Sequence, residues 1–276
     1  MVWSLLFALT LGLPSLAATL DHIRQTQTLR CATNVETPEY STVDDHGPRS
    51  AFDADLCRAI AVAILGPSAR VALMPYPDDD ATRAALRSGT VDLIPTLSVT
   101  DDPTLAFSPV ILNDGVGFLV PTSAHIAHAT QLSGKKICFI AETQVELSLR
   151  DWFTRQHLDF LPFPFQEEGE MEAAFVTGNC TALASDRTRL ATVRLGFGPL
   201  ASRSTLLPDQ VSSDPLAIAT LASNPDLATI VQSTIRQLQD TGRLTQFFNH
   251  DLGHQSPLQL PRSLLVTPQP RQSLQK

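Results

Sequence analysis

The sequence has no run of basic residues and, after residue 17, no long apolar segment. Without a basic run, the net charge of −8 disfavours nucleic acid or an anionic membrane as a partner. Without a further apolar stretch of about 20 residues, the chain has no candidate membrane-spanning helix. A G-x-S-x-G motif, a P-loop and a strand-following G-x-G-x-x-G are also missing. The chain has 276 residues, of which 43% are apolar, and this is enough for two globular domains.

Two histidine pairs have the spacing of metal ligands on a helix, His125 with His128 and His250 with His254. Neither segment carries the third ligand that a zinc site needs, so we expect no metal site. The sequence offers no catalytic constellation, and we therefore expect neither a cofactor nor enzymatic activity.

Residues 1–17, MVWSLLFALTLGLPSLA, form an uncharged apolar run too short to cross a bilayer comfortably. Small residues at Ser15 and Ala17 indicate an export signal cleaved before Ala18, although a buried first helix is the alternative. No cysteine stands at the cleavage point to take a lipid. We therefore expect a periplasmic protein without a lipid anchor.

Four cysteines occur, at positions 31, 57, 138 and 180. In an exported chain they suggest disulfides, and the sequence alone allows three pairings or four buried thiols. Their spacing favours local pairs, Cys31 with Cys57 and Cys138 with Cys180.

Helix and strand patterns alternate along the chain, which is typical of an α/β protein with largely parallel sheets. The clearest helix ends at Gly66-Pro67, and its predicted apolar stripe comprises Phe52, Leu56, Ile60, Ala63 and Ile64. From Lys135 the alternation begins again, so two similar units follow each other. A further amphipathic helix starts at Pro225 and stops at Gly242.

The segment from Thr143 to Glu146 matches a capping box, in which both side chains bond amides of the first helical turn. The positive end of that helix could also hold an anion.

Eight segments, spread over about residues 19 to 265, together match the segment order of a known protein family. They are TLDHIRQTQTLRCATN, AFDADLCRAIAVAILG, LRSGTVDLI, GVGFLV, ICFIAETQVELSL, VTGNCTALASD, SDPLAIAT and DLGHQSPLQLPRSLL. In this order and spacing the chain resembles the periplasmic solute-binding proteins of polar amino-acid ABC transporters, nearest the general L-amino-acid-binding branch. Both predicted cysteine pairs are similar to those of that branch.

The resemblance implies a two-lobed α/β fold, the type II periplasmic binding protein fold, with two crossing strands as its hinge. We expect the first lobe in residues 18–115 plus 211–255 and the second in residues 120–207. Residues 256–276 would form a C-terminal extension whose end, beyond Thr267, is predicted to be disordered.

The resemblance also implies a ligand site between the lobes. Hydroxyls of the PTLSVTDDP segment would bond the ligand, Thr143 would contact an anionic group, and Asp186 would meet an amino group. The candidate ligand-binding residues are Asn34, Thr96, Ser98, Thr100, Thr143, Gln144 and Asp186.

One element of that site is missing. The family's arginine, which clamps the ligand's α-carboxylate, falls at Pro103, and no Lys or Arg occurs between Arg87 and Lys135. Arg187 or Arg49 could supply the charge from another direction.

Asp101 and Asp102 stand directly before Pro103. They would repel an anion if they faced the cleft, and the alternative is a solvated turn.

The predicted function is therefore a monomeric solute-binding component that delivers an amino acid, an amine or a related small polar solute to an inner-membrane ABC permease. A non-transport partner-binding protein with a degenerate cleft is the alternative, and an enzyme on this fold, such as a dehydratase, is the third.

Overall fold

A computed structural model describes residues 19–40, 43–44, 47–48 and 51–267. The predicted export signal, Arg49 and the tail beyond Thr267 lie outside these residues. The strands are β1 (Thr28–Asn34), β2 (Val43–Asp44), β3 (Gly47–Pro48), β4 (Arg70–Tyr76), β5 (Ile94–Ser98), β6 (Leu105–Phe107), β7 (Leu112–Asp114), β8 (Val116–Pro121), β9 (Lys136–Ile140), β10 (Leu161–Phe165), β11 (Ala182–Asp186), β12 (Ser204–Leu206) and β13 (Asp214–Leu221). The α-helices are α1 (Thr19–Thr26), α2 (Phe52–Leu65), α3 (Asp79–Arg87), α4 (Gln144–Arg155), α5 (Glu168–Val176), α6 (Arg187–Gly196), α7 (Pro225–Asp240) and α8 (Arg243–Asp251).

The first lobe is the part built around β1, β4, β5, β6, β7 and β13, with α1–α3, α7 and α8. β1 and β4 pair in parallel, whereas β13 pairs antiparallel with β5, β6 and β7. The two sheets meet at a single bridge between Cys31 and Leu93. Helices α2 and α7 cover the shared core, because their apolar stripes face inward at the 3.6-residue period.

The C-terminal segment completes this core. Leu258, Leu260, Leu264 and Leu265 are buried in the same cluster as α2 and α7. The backbone amide of Val266 donates to the carbonyl of Ile111 at 3.0 Å.

The second lobe is the part built around β8–β12 with α4–α6. Its strands form one continuous sheet in the order β10-β9-β11-β8-β12. β9 pairs in parallel with β10 and β11, and β8 pairs antiparallel with β11 and β12. The parallel strands are joined through α4 and α5, the strand–helix–strand arrangement expected from the alternating pattern.

The chain passes between the lobes twice, at Gly115 and between β12 and β13. The segments GVGFLV and SDPLAIAT form β8 and β13, each of which follows directly after one of these two passages. Gly115 interrupts the strand with φ +134°, and a Cβ there would collide with the backbone of Ser212 on the other crossing. The two crossings therefore run side by side, and Val116 N donates to Ser212 Oγ at 2.9 Å. The lobe boundaries given above stay a prediction.

Both predicted disulfides are confirmed, Cys31–Cys57 within the first lobe and Cys138–Cys180 within the second. One detail of the predicted α2 stripe is wrong: Ala61 is buried and Ala63 is exposed. The described part of the chain contains no helix with the length and hydropathy of a membrane span.

Candidate functional site

A cleft of about 1240 Å³ lies between the lobes, beside the crossings. Its first-lobe wall comes from the loop after β1, the start of α3 and the end of β5. Its second-lobe wall comes from the ends of β9 and β11 and the starts of α4 and α6. Ligands commonly bind at the carboxyl ends of strands in α/β sheets, and this cleft occupies that position.

All seven residues predicted to bind a ligand line this cleft. The first-lobe wall holds Asn34, Thr96, Ser98 and Thr100, and the second-lobe wall holds Thr143, Gln144 and Asp186. The structure thus brings together residues up to 152 positions apart in the sequence (34 to 186). Their roles in binding stay predictions.

Three of the predicted hydroxyls donate their hydrogen to the protein itself. Thr96 Oγ1 donates to Asp53 Oδ1 at 2.8 Å, and Ser98 Oγ donates to Asp214 Oδ2 at 2.9 Å. Burial raises the pKa of Asp53 well above its ordinary value, and the Thr96 bond opposes that rise.

Thr143 is the third such hydroxyl. Its Oγ1 donates to the carbonyl of Ile140 at 2.8 Å and caps no helical amide. Glu146 accepts from the amide of Glu142 instead, and also from Arg150. The predicted capping box is therefore wrong, because both side chains bond to groups that the motif does not use.

Carboxylates outnumber cations in the described cleft lining, with nine acidic residues and two arginines. The carboxylates are Glu36, Glu39, Asp78, Asp79, Asp80, Asp114, Glu168, Asp186 and Asp214. Arg83 pairs with Asp79 and Asp80 at 3.6 and 3.2 Å, and Arg189 pairs with Glu168. Sequence reasoning identified only Asp186 from this set. The DDD run at the start of α3 was a usable signal for three others.

A buried hydrogen-bonded cluster joins the lobes beside the crossings. Thr188 Oγ1 donates to the Asp114 carboxylate and accepts from Tyr40 Oη at 3.1 Å. Tyr40 and Glu39 belong to the first lobe, whereas Thr188 begins α6 of the second. Glu39 Oε1 lies 3.5 Å from Thr188 Oγ1, and Glu39 Oε2 is buried without a hydrogen-bond partner among the described residues.

The carboxyl groups around this cluster hold protons more tightly than usual. Burial raises the pKa of Glu39 to about 7. The pKa of Asp186 also rises to about 7. The main cause is burial: its carboxyl group opens into the cleft, whose walls keep water away from it. The negative charges of Asp114 and Asp214 add to the rise. Burial is likewise the main cause that raises the pKa values of Asp114 and Asp214.

The stretch that replaces the family's arginine lies outside the described cleft lining. Asp102 accepts from the backbone and hydroxyl of Thr104 and pairs with Arg87 at 2.7 Å, so it stabilises a turn. These bonds lower the pKa of Asp102 to about 2. Asp101 and Pro103 are exposed on the same turn.

Arg187 was one of two candidates for supplying the missing charge. Its side chain is 1% exposed, packs against Gly117 and donates from Nη1 to Gln210 Oε1 at 3.2 Å. Arg187 is not among the described residues that line the cleft, so its contribution to ligand binding stays a prediction.

Neither histidine pair forms a metal-binding group in the described residues. His128 Nδ1 lies 3.6 Å from Asp209, and His250 Nδ1 lies 2.6 Å from Asp251. The hydrogen bond to Asp251 raises the pKa of His250.

Two lobes, two adjacent crossings and a cleft at the strand ends define a binding protein of the type II periplasmic class. Solved structures agree with this class. A periplasmic binding protein from Brucella ovis with glutathione bound superposes with a TM-score of 0.72 at 25% identity, over 88% of this chain and 94% of that one. The cysteine-binding protein of Campylobacter jejuni, at 18% identity and a TM-score of 0.61, shows the same fold over 91% of this chain and 99% of that one.

The chain belongs to the bacterial extracellular solute-binding proteins, family 3, which it matches over residues 29–254. It is 30% identical over 223 residues to the putative amino-acid ABC transporter-binding protein YhdW of Escherichia coli K12, covering 79% of this chain and 65% of that relative. It is 31% identical over 209 residues to the general L-amino acid-binding periplasmic protein AapJ of Rhizobium johnstonii, covering 74% of this chain and 60% of that relative. The predicted resemblance and fold class are confirmed. The chain spans less than two thirds of either relative's length.

Proposed function

We propose that this protein is the solute-binding component of an ABC transporter for amino acids or related small polar solutes, and that it captures its ligand as the lobes close. The cleft carries this proposal, because it places polar side chains of both lobes opposite each other beside the crossings. Closure about the crossings would bring both walls onto one small molecule. The names of YhdW and AapJ support the same role.

The partner would be an inner-membrane ABC permease, and the protein would act as a periplasmic monomer after cleavage of its export signal. We propose binding and no catalysis. The ancestral protein AncCDT-1, a precursor of cyclohexadienyl dehydratase, shares the fold at 22% identity and a TM-score of 0.60. This likeness concerns the fold alone and is no argument for an enzymatic activity of this chain.

A second candidate is a non-transport, partner-binding protein with a degenerate cleft. Pro103 in place of the arginine favours it, because an unclamped carboxylate in a closed cleft costs about 3 to 5 kcal/mol.

A thermal-shift screen followed by calorimetry separates these candidates. The panel contains the twenty amino acids, their decarboxylated amines and short peptides. A ligand at 100 times its Kd should raise the free energy of unfolding by about 2.7 kcal/mol. Binding of a panel member at micromolar concentration supports the solute-binding role, and the absence of any binding favours the second candidate.

The variant Asp186→Ala then tests the site. It should weaken an amine-bearing ligand by about 1.5 to 3 kcal/mol, the scale of a hydrogen bond to a charged group. Glu170→Ala is the matched control, because Glu170 is exposed on α5 outside the cleft lining. An equal loss of ligand affinity in both variants would show that Asp186 does not bind the ligand.

A further inference from the structure

The hydrogen-bonding groups of the cleft favour a ligand that donates hydrogens. Thr96, Ser98 and Thr143 each give their hydroxyl hydrogen to a protein oxygen, and Asn34 Nδ2 donates to Asp79 Oδ1 at 2.7 Å. The three hydroxyls, among the seven predicted ligand-binding side chains, therefore present lone pairs in this structure, whereas Asn34 Oδ1 already accepts from the amide of Glu36. Lone pairs attract an ammonium or guanidinium group and repel a carboxylate.

The cations of the cleft lining are already neutralised. Arg83 pairs with carboxylates on its own helix, and Arg189 pairs with Glu168 of the same lobe. A ligand carboxylate bound through either arginine would lie beside the acidic side chains that the arginine already pairs with, which would repel it. The described lining thus offers a carboxylate no unpaired cation.

The carboxylates form a continuous series across the cleft. Negative charge on Asp79 and Asp114 acts on Asp214, and negative charge on Asp114 and Asp214 acts on Asp186. Asp114 and Asp186 act in turn on Glu39. The series runs from the first-lobe wall, past the crossing, to the second-lobe wall, so one ammonium group cannot lie beside all of its members.

Glu39 gives an independent sign of an unfilled position. It lines the cleft and is 9% exposed, and its Oε2 is buried without a hydrogen-bond partner among the described residues. A buried carboxylate oxygen without a donor is costly, so an added donor at this end of the cleft would be stabilising.

The cleft also has room and apolar surface for an alkyl chain. Its volume of about 1240 Å³ is above the range of common small-molecule pockets, about 300 to 1000 Å³. Val35 and Val99 are 55% and 38% exposed on the first-lobe wall. Methylene groups between two cationic ends would cover these side chains.

From these contacts we propose that the cleft selects a solute with two cationic groups on a short alkyl chain and no carboxylate, such as an aliphatic diamine. One cation lies beside Asp186 on the second-lobe wall, and the other lies beside Asp214 and Asp79 on the first-lobe wall. This inference rests on the solute-binding function proposed above.

Calorimetry with three matched probes tests the proposal. Cadaverine carries two ammonium groups, lysine adds a carboxylate to the same skeleton, and n-pentylamine lacks the second ammonium. We expect cadaverine to bind at least about tenfold more tightly than either of the others. The carboxylate of lysine would be repelled by the cleft, and n-pentylamine would leave one of the two cation positions empty. Lysine or n-pentylamine binding as tightly as cadaverine overturns the proposal.

Variants locate the two cations. Asp186→Asn and Asp214→Asn should each weaken cadaverine at least about tenfold, and Glu170→Gln should leave its affinity unchanged. Unaltered cadaverine binding in both asparagine variants overturns the proposal. Thermal unfolding confirms that each variant is folded.

The unmodified protein supplies a further readout that does not depend on any variant. Asp186 faces Asp114, Asp214 and Glu39, with Arg189 one turn away, and it must lose its proton to pair with an ammonium group. Cadaverine affinity should therefore rise about tenfold from pH 6 to pH 8, while both of its ammonium groups stay charged. A flat profile overturns the proposal.

The panel of amino acids separates this inference from the proposed function. If neutral amino acids bind at micromolar concentration and cadaverine does not, the inference fails and the solute-binding function stands. If no probe or amino acid binds, both fail.

Discussion

The two lobes hold their sheets together by different means. The five strands of the second lobe are joined edge to edge by backbone hydrogen bonds. In the first lobe, β1 and β4 form one sheet, β5, β13, β6 and β7 form another, and the bridge at Cys31 and Leu93 connects them. The junction in the first lobe is therefore a short contact, with three backbone hydrogen bonds between β1 and residues 92–93, whereas the second lobe has continuous strand pairing.

An ion pair reinforces that junction. Arg30 donates to Asp92 from its backbone amide at 2.8 Å, and from Nε and Nη2 at 3.2 and 2.6 Å. The Asp92 side chain is fully buried, and the Cys31–Cys57 disulfide begins at the next residue along β1. The ion pair and the disulfide thus add side-chain contacts to the few backbone hydrogen bonds at this junction.

The largest expected effect comes from breaking this ion pair. Arg30→Ala leaves the buried Asp92 carboxylate without its cation and should lower the free energy of unfolding by about 3 to 5 kcal/mol. Arg155→Ala is the matched control in the second lobe, where the pair with Asp151 is exposed and contributes about 0 to 1 kcal/mol. Urea unfolding measures both. Equal losses of unfolding free energy in the two variants would show that the first-lobe junction does not depend on its ion pair.

Removing the disulfides compares the lobes directly. The chain-entropy relation gives about 4 kcal/mol for the Cys138–Cys180 separation of 42 residues and about 3.5 kcal/mol for the Cys31–Cys57 separation of 26 residues. The paired Cys→Ala variants should follow this order in thermal unfolding. The reverse order would show that the junction in the first lobe matters more than loop length.

A change of pH acts on the cluster that joins the lobes. The pKa of Glu39 is about 7 in the folded protein against an ordinary 4.5, so between these values the folded state binds a proton that the unfolded chain has released. The contribution of Glu39 to the free energy of unfolding should therefore be complete below pH 4.5 and be lost, by about 2 to 3 kcal/mol, as the pH rises through 7. Asp186 contributes in the same direction.

Urea titrations from pH 5 to pH 8 measure this dependence. Glu39→Gln should flatten the profile, because the amide does not titrate. A profile that keeps its full slope in Glu39→Gln would exclude Glu39 as its source.

The smallest expected effect concerns the Tyr40 hydroxyl. Tyr40→Phe removes the bond to Thr188 and should cost about 1 to 2 kcal/mol of unfolding free energy, because a buried partner loses its donor. Tyr76→Phe is the control, since the Tyr76 hydroxyl makes no hydrogen bond with the described residues. Equal stability of the two variants would show that the lobes do not gain from this contact.

Much of the fold could be predicted from the sequence, because apolar periodicity and glycine stops are local signals. Helix α7 ends at Asp240, next to the predicted stop at Gly242, whose φ is +73°. The start of β5 at Ile94 is set by the amides of Asp92 and Leu93, which bond to the carbonyl of Arg30. Such a tertiary contact leaves no periodic trace in the sequence.

The site was predictable where it follows strand ends and unpredictable where distant segments meet. The resemblance located Ser98 and Asp186, which lie at the ends of β5 and β11. Glu39, Asp114 and Thr188 meet only because the chain passes between the lobes at Gly115. The burial of these residues, which raises the pKa values of Glu39 and Asp114, follows from that meeting and from no local pattern.

The disulfide connectivity has a consequence for how the chain is oxidised. The cysteines pair in chain order, the first with the second and the third with the fourth. An oxidant that joins thiols in their order along the chain therefore makes the native bonds directly. Reshuffling of mispaired bonds takes seconds to hours, and a chain of this kind reaches its native covalent structure without that delay.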